Sequence, residues 1–199
     1  MNLSAGVAAL DLVLPPGAEQ KLTDYLALLA KWNRTYNLTA INNMDQMVTH
    51  HLLDSLVVLP WLKNVRSLAD VGSGAGLPGL PIAICRPDLQ LSSIEANQKK
   101  AAFQQQAKIE LDLANVSIYC RRVEDMAAKF EAAVSRAFAE LADFVRVAGH
   151  LADRLLAMTG AFPTDELARL PLGWRVVETM KLTIPGLNAE RHLIVLGRN

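Results

Sequence analysis

Five short apolar runs alternate with longer segments of helical periodicity after residue 66 of this chain. The runs lie at residues 67–71, 89–94, 116–120, 132–135 and 155–158. The helical segments between them include residues 78–85, 97–111 and 139–151. Strands that alternate with helices at this spacing form a parallel sheet whose two faces the helices cover. The alternation therefore predicts a doubly wound α/β fold.

The last part of the chain departs from this alternation. Residues 174–184 and 192–196 both have the composition of strands, and only a short connection around residues 185–189 separates them. About five residues can close a hairpin, whereas a crossover between parallel strands needs a dozen or more. We therefore expect the last two strands to be antiparallel to each other, at one end of an otherwise parallel sheet.

The N-terminal part of the chain has a helical pattern. Leu22, Leu26, Leu29 and Trp32 fall on one apolar stripe, so we predict an amphipathic helix over residues 18–32.

Residues 33–43 follow this helix and have the composition of an ordered turn. A second helix is predicted over residues 45–59, and we expect it to end at Pro60 because proline breaks a helix interior. Residues 1–62 are thus expected to form a helical cap on a larger domain that comprises residues 63–199.

Length, charge and composition limit the classes of protein to consider. The 199 residues suffice for one domain with its own core, and 20 basic residues balance 20 acidic ones. This balance argues against non-specific coating of nucleic acid but allows a local basic patch. No apolar stretch of about 18 residues and no signal peptide occurs, so we expect a cytoplasmic protein without a membrane partner. Cys85 and Cys120 are expected to be reduced, and no group of side chains has zinc-ligand spacing.

A glycine-rich segment lies between the first predicted strand and the next helix. Residues 70–79 read Asp-Val-Gly-Ser-Gly-Ala-Gly-Leu-Pro-Gly. Glycines at positions 72, 74 and 76 allow positive φ angles and a close approach of the backbone to a ligand. In a doubly wound sheet this turn lies at the carboxyl edge of the strands, where ligands bind.

The glycines match two different cofactor motifs. Gly74, Gly76 and Gly79 have the spacing of a dinucleotide fingerprint, whereas Asp70 followed by glycines at 72, 74 and 76 has that of a methyltransferase motif. The second is favoured because an acidic residue repels a pyrophosphate and suits a cofactor with a cationic sulfonium. The terminal antiparallel hairpin is also typical of class I methyltransferases. A nicotinamide-dependent oxidoreductase and a non-catalytic RNA-binding module remain as alternatives.

The sequence resembles the bacterial 16S rRNA guanine-N7 methyltransferases, also called the glucose-inhibited division protein B family. The resemblance rests on seven blocks in order, which begin at Trp32, His51, Asp70, Asn97, Arg122, Ser135 and Glu190. It implies a class I Rossmann-like fold, S-adenosylmethionine as cofactor, and 16S rRNA within the small ribosomal subunit or its precursor as substrate. It further implies cofactor contacts from Gly72, Leu77, Glu95, Val123, Glu124 and Arg136.

The candidate cofactor site also includes other residues of the glycine loop and of the end of the second predicted strand. A carboxylate at Glu95 can accept hydrogen bonds from both ribose hydroxyls of an adenosine. The full candidate set is Asp70, Gly72, Ser73, Gly74, Gly76, Leu77, Glu95, Ala96, Val123, Glu124 and Arg136.

Methylation of guanine N7 needs little acid–base chemistry, because this nitrogen has a free lone pair. The enzyme must align donor and acceptor and tolerate a positive charge that moves to the base. Arg136, directly after the fourth predicted strand, is the candidate catalytic residue, although an ion pair is an alternative role for it. Thr159 stands where the family usually has a lysine, which motivates the non-catalytic alternative.

Contacts to RNA phosphates are expected from lysine and arginine side chains. The candidates are Lys31, Arg34, Lys99, Lys100, Arg121 and Arg122, each of which has a solvated surface position as its alternative. Nothing in the sequence requires a second subunit, so we expect a monomer.

Overall fold

The computed structural model describes residues 2–136, 138 and 140–199, and within them seven strands form one sheet. The strand order is β3-β2-β1-β4-β5-β7-β6. The strands are β1 (Ser67–Val71), β2 (Gln90–Ile94), β3 (Val116–Tyr119), β4 (Ala132–Arg136), β5 (Arg154–Thr159), β6 (Trp174–Lys181) and β7 (His192–Arg198). Strands β1 to β5 pair in parallel, and β7 runs antiparallel to both β5 and β6. The predicted doubly wound sheet and its terminal hairpin are confirmed.

Helices precede the sheet in the chain, as predicted, but two of their boundaries differ from the prediction. After the short α1 (Leu3–Ala9), α2 runs over Ala18–Tyr36 and ends at Asn37, whose φ of 51° leaves the helical region. The prediction that a turn begins at residue 33 is therefore wrong, because the helix continues for one more turn.

The second predicted helix is an irregular series of helical turns. It comprises α3 (Met44–Met47), a π-helical segment (Val48–Leu53), α4 (Asp54–Leu56) and a 3-10 helix (Leu59–Leu62). The predicted end at Pro60 is wrong: α4 ends earlier, and Pro60 lies in the first turn of the 3-10 helix, where its missing N–H costs little.

The remaining helices connect the strands. They are α5 (Gly79–Cys85), α6 (Gln98–Glu110), α7 (Leu141–Ala148) and α8 (Thr164–Leu167). Asn97 caps α6 by accepting hydrogen bonds from the backbone N–H groups of Lys99 and Lys100. Helix α7 is shorter than predicted, and the predicted start at Ala139 lies outside the described residues.

The N-terminal helices pack on one face of the sheet together with α5 and α6. Leu22, Leu29 and Leu53 are fully buried in the same core as Leu68 of β1 and Leu80 of α5. Helix α7 covers the other face. The predicted boundary between residues 62 and 63 falls at the end of the 3-10 helix, and the division into two domains stays a prediction. None of the helices in the described ranges is both long and apolar enough to cross a membrane.

Candidate active site

The glycine loop after β1 has the backbone conformation that the sequence predicts. Gly72, Gly74 and Gly76 have φ angles of 67°, 60° and 86°, so the predicted positive values are confirmed. A Cβ atom built on Gly74 meets no described atom within 4 Å. The backbone at Gly74 therefore faces open space, as a loop that receives a ligand requires.

Asp70 supports this loop from beneath. Its side chain is fully buried, and Oδ2 accepts a hydrogen bond from the Gly79 N–H at 2.8 Å. A Cβ atom on Gly79 would lie 2.5 Å from that oxygen, so this position requires glycine. Burial raises the pKa of Asp70 to about 7, although the Gly79 hydrogen bond and the charge of Arg136 oppose the increase. The contact of Asp70 with a cationic cofactor stays a prediction.

A buried polar cluster holds the middle of the loop. Ser93 Oγ of β2 lies 2.7 Å from Ser73 Oγ, and Gln104 of α6 donates to Ser73 Oγ and to the Gly74 carbonyl, both at 2.8 Å. Tyr25 of α2 donates to the Ala75 carbonyl at 2.8 Å. Sequence reasoning did not select Tyr25, Ser93 or Gln104, and their polarity within apolar helix and strand faces was the available signal.

Glu95 connects the loop to the end of β2. Its Oε2 accepts from the Gly74 N–H and its Oε1 from the Asn97 N–H, both at 2.7 Å. The carboxylate is half-buried beside the open space over Gly74, and the neighbouring Ala96 is exposed. The open backbone and adjacent carboxylate fit an adenosine group with vicinal hydroxyls.

The other candidate cofactor residues differ in accessibility. Ser73 and Leu77 are buried. Val123 and Glu124 form a 3-10 turn after β3, at the same edge of the sheet as Glu95, with Val123 half-buried and Glu124 exposed.

The candidate RNA-binding residues divide into two groups. Lys99 and Lys100 begin α6, and Arg121 and Arg122 follow β3, so these four lie at the carboxyl edge of the sheet with the glycine loop. The other group comprises Lys31 and Arg34 on α2. Lys31 lines a groove with Glu110 at the far end of α6. Helix α6 has 13 residues and is therefore about 20 Å long, and Lys31 lies near its C-terminal end whereas Lys99 lies in its first turn.

A cavity of about 370 Å³ opens at the ends of β4 and β5. Its lining residues are Ile41, His50, His51, Asp54, Arg136, Met158, Thr159, Gly160 and Arg191. Asp54 is 2% exposed and binds two guanidinium groups, at 3.1 Å from Arg136 Nη1 and 3.1 Å from Arg191 Nε. Arg136 also donates to the His50 carbonyl at 2.8 Å. The candidate catalytic arginine thus forms an ion pair and still lines a cavity.

The cavity and the glycine loop are neighbours, because β4 pairs with β1. Ser135 of β4 donates to the Val71 carbonyl at 2.8 Å, which joins the ends of the two strands. Asp54 and Arg191 were not selected as site residues from the sequence. The signal for Asp54 was a lone carboxylate inside the apolar segment that surrounds it.

The fold and the glycine loop define a class I S-adenosylmethionine-dependent methyltransferase. Magnesium protoporphyrin IX methyltransferase from Synechocystis PCC 6803 has the same fold. Its structure with bound S-adenosylmethionine superposes with a TM-score of 0.61 at 14% identity, and the match covers 88% of this chain and 98% of that one. Its structure with bound S-adenosylhomocysteine gives 0.61 at 16% identity over 88% and 97% of the two chains.

The chain belongs to the GidB family, described as rRNA small subunit methyltransferase G, whose model matches residues 18–194. Two similar proteins carry the name ribosomal RNA small subunit methyltransferase G. The protein from Aromatoleum aromaticum is 56% identical over 100% of this chain and 98% of its own length. The protein from Azoarcus sp. is 51% identical over 99% and 95%. The resemblance and S-adenosylmethionine as cofactor are confirmed, and the nicotinamide alternative is not favoured.

Proposed function

We propose that this chain transfers the methyl group of S-adenosylmethionine to N7 of a guanine in 16S ribosomal RNA. The observation that carries the proposal is the position of the open glycine loop next to a charged cavity, at one edge of a methyltransferase sheet. The loop serves the methyl donor and the cavity serves the acceptor. The relatives are named as methyltransferases of small-subunit ribosomal RNA, which supports the choice of 16S RNA as the substrate.

Residues at the ends of β1, β2 and β3 hold the cofactor in this proposal. Glu95 accepts hydrogen bonds from the ribose hydroxyls, and the backbone of Gly72 and Gly74 lies against the cofactor without Cβ atoms between them. Val123 and Glu124 flank the adenine. When bound, S-adenosylmethionine supplies a methyl group on a sulfonium, which makes that methyl group electrophilic.

The acceptor side needs orientation rather than a base, because guanine N7 carries a free lone pair. Arg136 is held by Asp54 and by the His50 carbonyl, so its guanidinium has a fixed position at the cavity wall. Fixed groups of this kind orient a reactant before reaction, and orientation contributes several kcal/mol to the lowering of a barrier, about 7–11 at most.

Phosphate contacts from Lys99, Lys100, Arg121 and Arg122 bring the RNA to the carboxyl edge of the sheet. Arg121 is exposed and its guanidinium lies 5.7 Å from the centre of the Tyr119 ring, which restrains its position. Lys31 and Arg34, on α2, would contact a more distant part of the RNA. We further propose that the protein acts as a monomer in the cytoplasm, where its RNA substrate is.

Incubation of the purified protein with labelled S-adenosylmethionine and small ribosomal subunits tests the proposal. We expect label in 16S RNA, recovered as 7-methylguanosine after digestion. Titration with S-adenosylhomocysteine and with NAD is the control for the cofactor, and only the former is expected to bind. If the RNA acquires no label although S-adenosylhomocysteine binds tightly, the result would instead favour another methyl acceptor or a non-catalytic module.

A further inference from the structure

Two buried polar atoms on the wall of the cavity have no hydrogen-bond partner among the described residues. They are His51 Nδ1 and Thr159 Oγ1, which belong to different elements far apart in the chain. His51 is 4% exposed and belongs to the π-helical segment, whereas Thr159 ends β5. Buried polar side chains in proteins are almost always hydrogen-bonded. A third such atom, Asp70 Oδ1, lies outside the cavity, so the pair is singled out because both of its residues line the same cavity, which makes them candidates for hydrogen bonds to a ligand there.

The surroundings of His51 determine what it offers to such a ligand. Its Nε2 lies 2.9 Å from Thr39 Oγ1, which already accepts the Ile41 N–H at 3.2 Å. A hydroxyl oxygen can accept two hydrogen bonds, so the contact allows either tautomer; when the Thr39 hydroxyl donates to Nε2, the imidazole proton is on Nδ1, and this tautomer is part of the proposal below. The His50 carbonyl accepts from Arg136 at 2.8 Å and makes only a weak contact with the imidazole, so Nδ1 has no full hydrogen bond. His51, a residue of the cavity lining, then carries a buried N–H donor without a full hydrogen bond.

The imidazole also stays neutral at physiological pH. Burial lowers the pKa of His51 to about 4, the charge of Arg136 adds to this effect, and the His50 backbone partly opposes it. A neutral imidazole has a donor at only one of its two nitrogens. It can therefore discriminate between an acceptor and a donor on a ligand, which an imidazolium cannot do.

The rest of the cavity suits a nucleobase. Its volume of about 370 Å³ lies within the usual range for small-molecule pockets, about 300–1,000 Å³. Met158 and Ile41 contribute apolar surface, and Gly160 adds no side chain. Enzymes that modify a base commonly take it out of the stack and read its Watson–Crick edge with hydrogen bonds. On that edge guanine presents the O6 acceptor beside the N1–H donor, and adenine presents the opposite pair.

We propose that this cavity receives the acceptor guanine, that His51 Nδ1 donates to its O6, and that Thr159 Oγ1 accepts from its N1–H. This inference rests on the proposed function and adds residues that select the base, of which the Thr159 contact is particular to this chain because the lysine that the family usually has there carries no acceptor. Adenine would place its amino group against the Nδ1–H donor, so that neither group finds an acceptor. Contacts to the Watson–Crick edge also leave N7 free for methyl transfer.

Two substitutions of His51 separate recognition of the base from support of the fold. The amide of glutamine reaches the position of Nε2 and keeps the contact with Thr39, whereas the amide of asparagine reaches the position of Nδ1. We expect His51→Gln to lower kcat/KM for small-subunit RNA by ~10–100-fold, the usual effect of losing one recognition hydrogen bond. Its affinity for S-adenosylhomocysteine should be unchanged. His51→Asn should be several-fold more active than His51→Gln.

The inference is overturned if His51→Gln matches the wild type, or if it is more active than His51→Asn. The second result would assign to His51 only the structural contact with Thr39.

Thr159→Val tests the second atom with a side chain of the same shape. It removes a buried hydroxyl that has no partner in the described protein, so the thermal unfolding midpoint should stay the same or rise. The value of kcat/KM for RNA should fall several-fold. A lower midpoint would indicate a structural role for the hydroxyl, and an unchanged kcat/KM would exclude a contact with the base.

Substitution of the RNA base distinguishes this inference from the proposed function. Once the methylated guanine is mapped, 2-aminopurine at that position removes O6 and the N1 proton, and inosine is the control that keeps both. The loss of kcat/KM caused by 2-aminopurine should be larger for the wild type than for His51→Gln. Equal penalties would overturn the assignment of His51 while the methyltransferase function stands. If the wild type methylates no small-subunit RNA, the proposed function fails and this inference falls with it.

Discussion

At the scale of single residues, Asp54 connects most of the charged groups in the cavity. Its carboxylate is almost fully buried and lies 3.1 Å from the guanidinium groups of Arg136 and Arg191. These contacts join residues that are 82 and 137 positions apart in the chain. A buried carboxylate with two cationic partners fixes both of them, so Asp54 determines where the arginines of the cavity lie.

We expect Asp54→Asn to lower the free energy of unfolding by about 1–3 kcal/mol, because both arginines lose the charge that holds them. Methylation of RNA should fall as well. The matched control is Asp153→Asn, which removes the exposed carboxylate that lies 2.7 Å from Arg198 Nε. Exposed pairs contribute about 0–1 kcal/mol, so the control should be nearly as stable as the wild type. Chemical denaturation measures both, and equal stability of the two variants would contradict the account.

A second prediction for a single residue concerns Asp70 and the dependence of stability on pH. Its pKa is about 7 in the folded protein against an ordinary value of 3.8, so the folded state binds the proton more tightly than the unfolded state. The stabilisation from the protonated carboxyl is complete below about pH 4 and is lost as the pH rises through 7.

Asp70→Asn removes this titration but keeps an oxygen for the Gly79 N–H. The wild type should therefore lose stability relative to Asp70→Asn between pH 4 and 7, on the order of 1 kcal/mol per pH unit. Denaturation of both proteins in a series of buffers measures the difference. A difference that is independent of pH, or that changes in the opposite direction, would show that Asp70 ionises normally in the folded protein.

At the scale of elements, three parts of the chain hold the glycine loop in place. Asp70 of β1 binds its end, Gln104 of α6 binds its middle, and Tyr25 of α2 binds the Ala75 carbonyl. The N-terminal helices therefore support the glycine loop directly, in addition to covering the sheet. This arrangement leaves the outer side of Gly74 open.

Two glycines with the same backbone requirement test the function of this open side. Gly74 and Gly173 both have positive φ, and a Cβ atom on either meets no described atom within 4 Å. Gly74→Ala and Gly173→Ala should each lose about 1 kcal/mol of stability from the left-handed conformation. Only Gly74→Ala should weaken binding of S-adenosylhomocysteine, by tenfold or more in calorimetric titration, which is ~1.4 kcal/mol. Equal affinities of the two variants would place the cofactor elsewhere.

The sequence predicted the parts of this structure that depend on local patterns. The positive φ of Gly72, Gly74 and Gly76 and the terminal hairpin follow from residue type and spacing. The end of α2 was predicted too early because Trp32 is the last residue of the apolar stripe, whereas the helix continues for one more turn to Tyr36. The π-helical segment has no sequence pattern of its own. The contacts of Asp54 could not be predicted because they depend on how distant segments pack.

At the scale of the whole molecule, the carboxyl edge of the sheet combines the features that the proposed reaction needs. Lys99, Lys100, Arg121 and Arg122 lie along one half of this edge near the glycine loop, and the cavity lies at the other half. In the proposed function, the RNA backbone approaches one side while a single base enters the other. Overall charge is balanced, so this proposal relies on the local arrangement of the basic residues rather than on a net positive charge.

The most direct measurement is mass spectrometry of 16S ribosomal RNA from cells with and without this gene. We expect one 7-methylguanosine to disappear on deletion and to return when the wild-type gene is restored, whereas a gene with Gly74→Ala should restore little of it. An unchanged modification pattern after deletion would contradict the assignment of ribosomal RNA as the substrate.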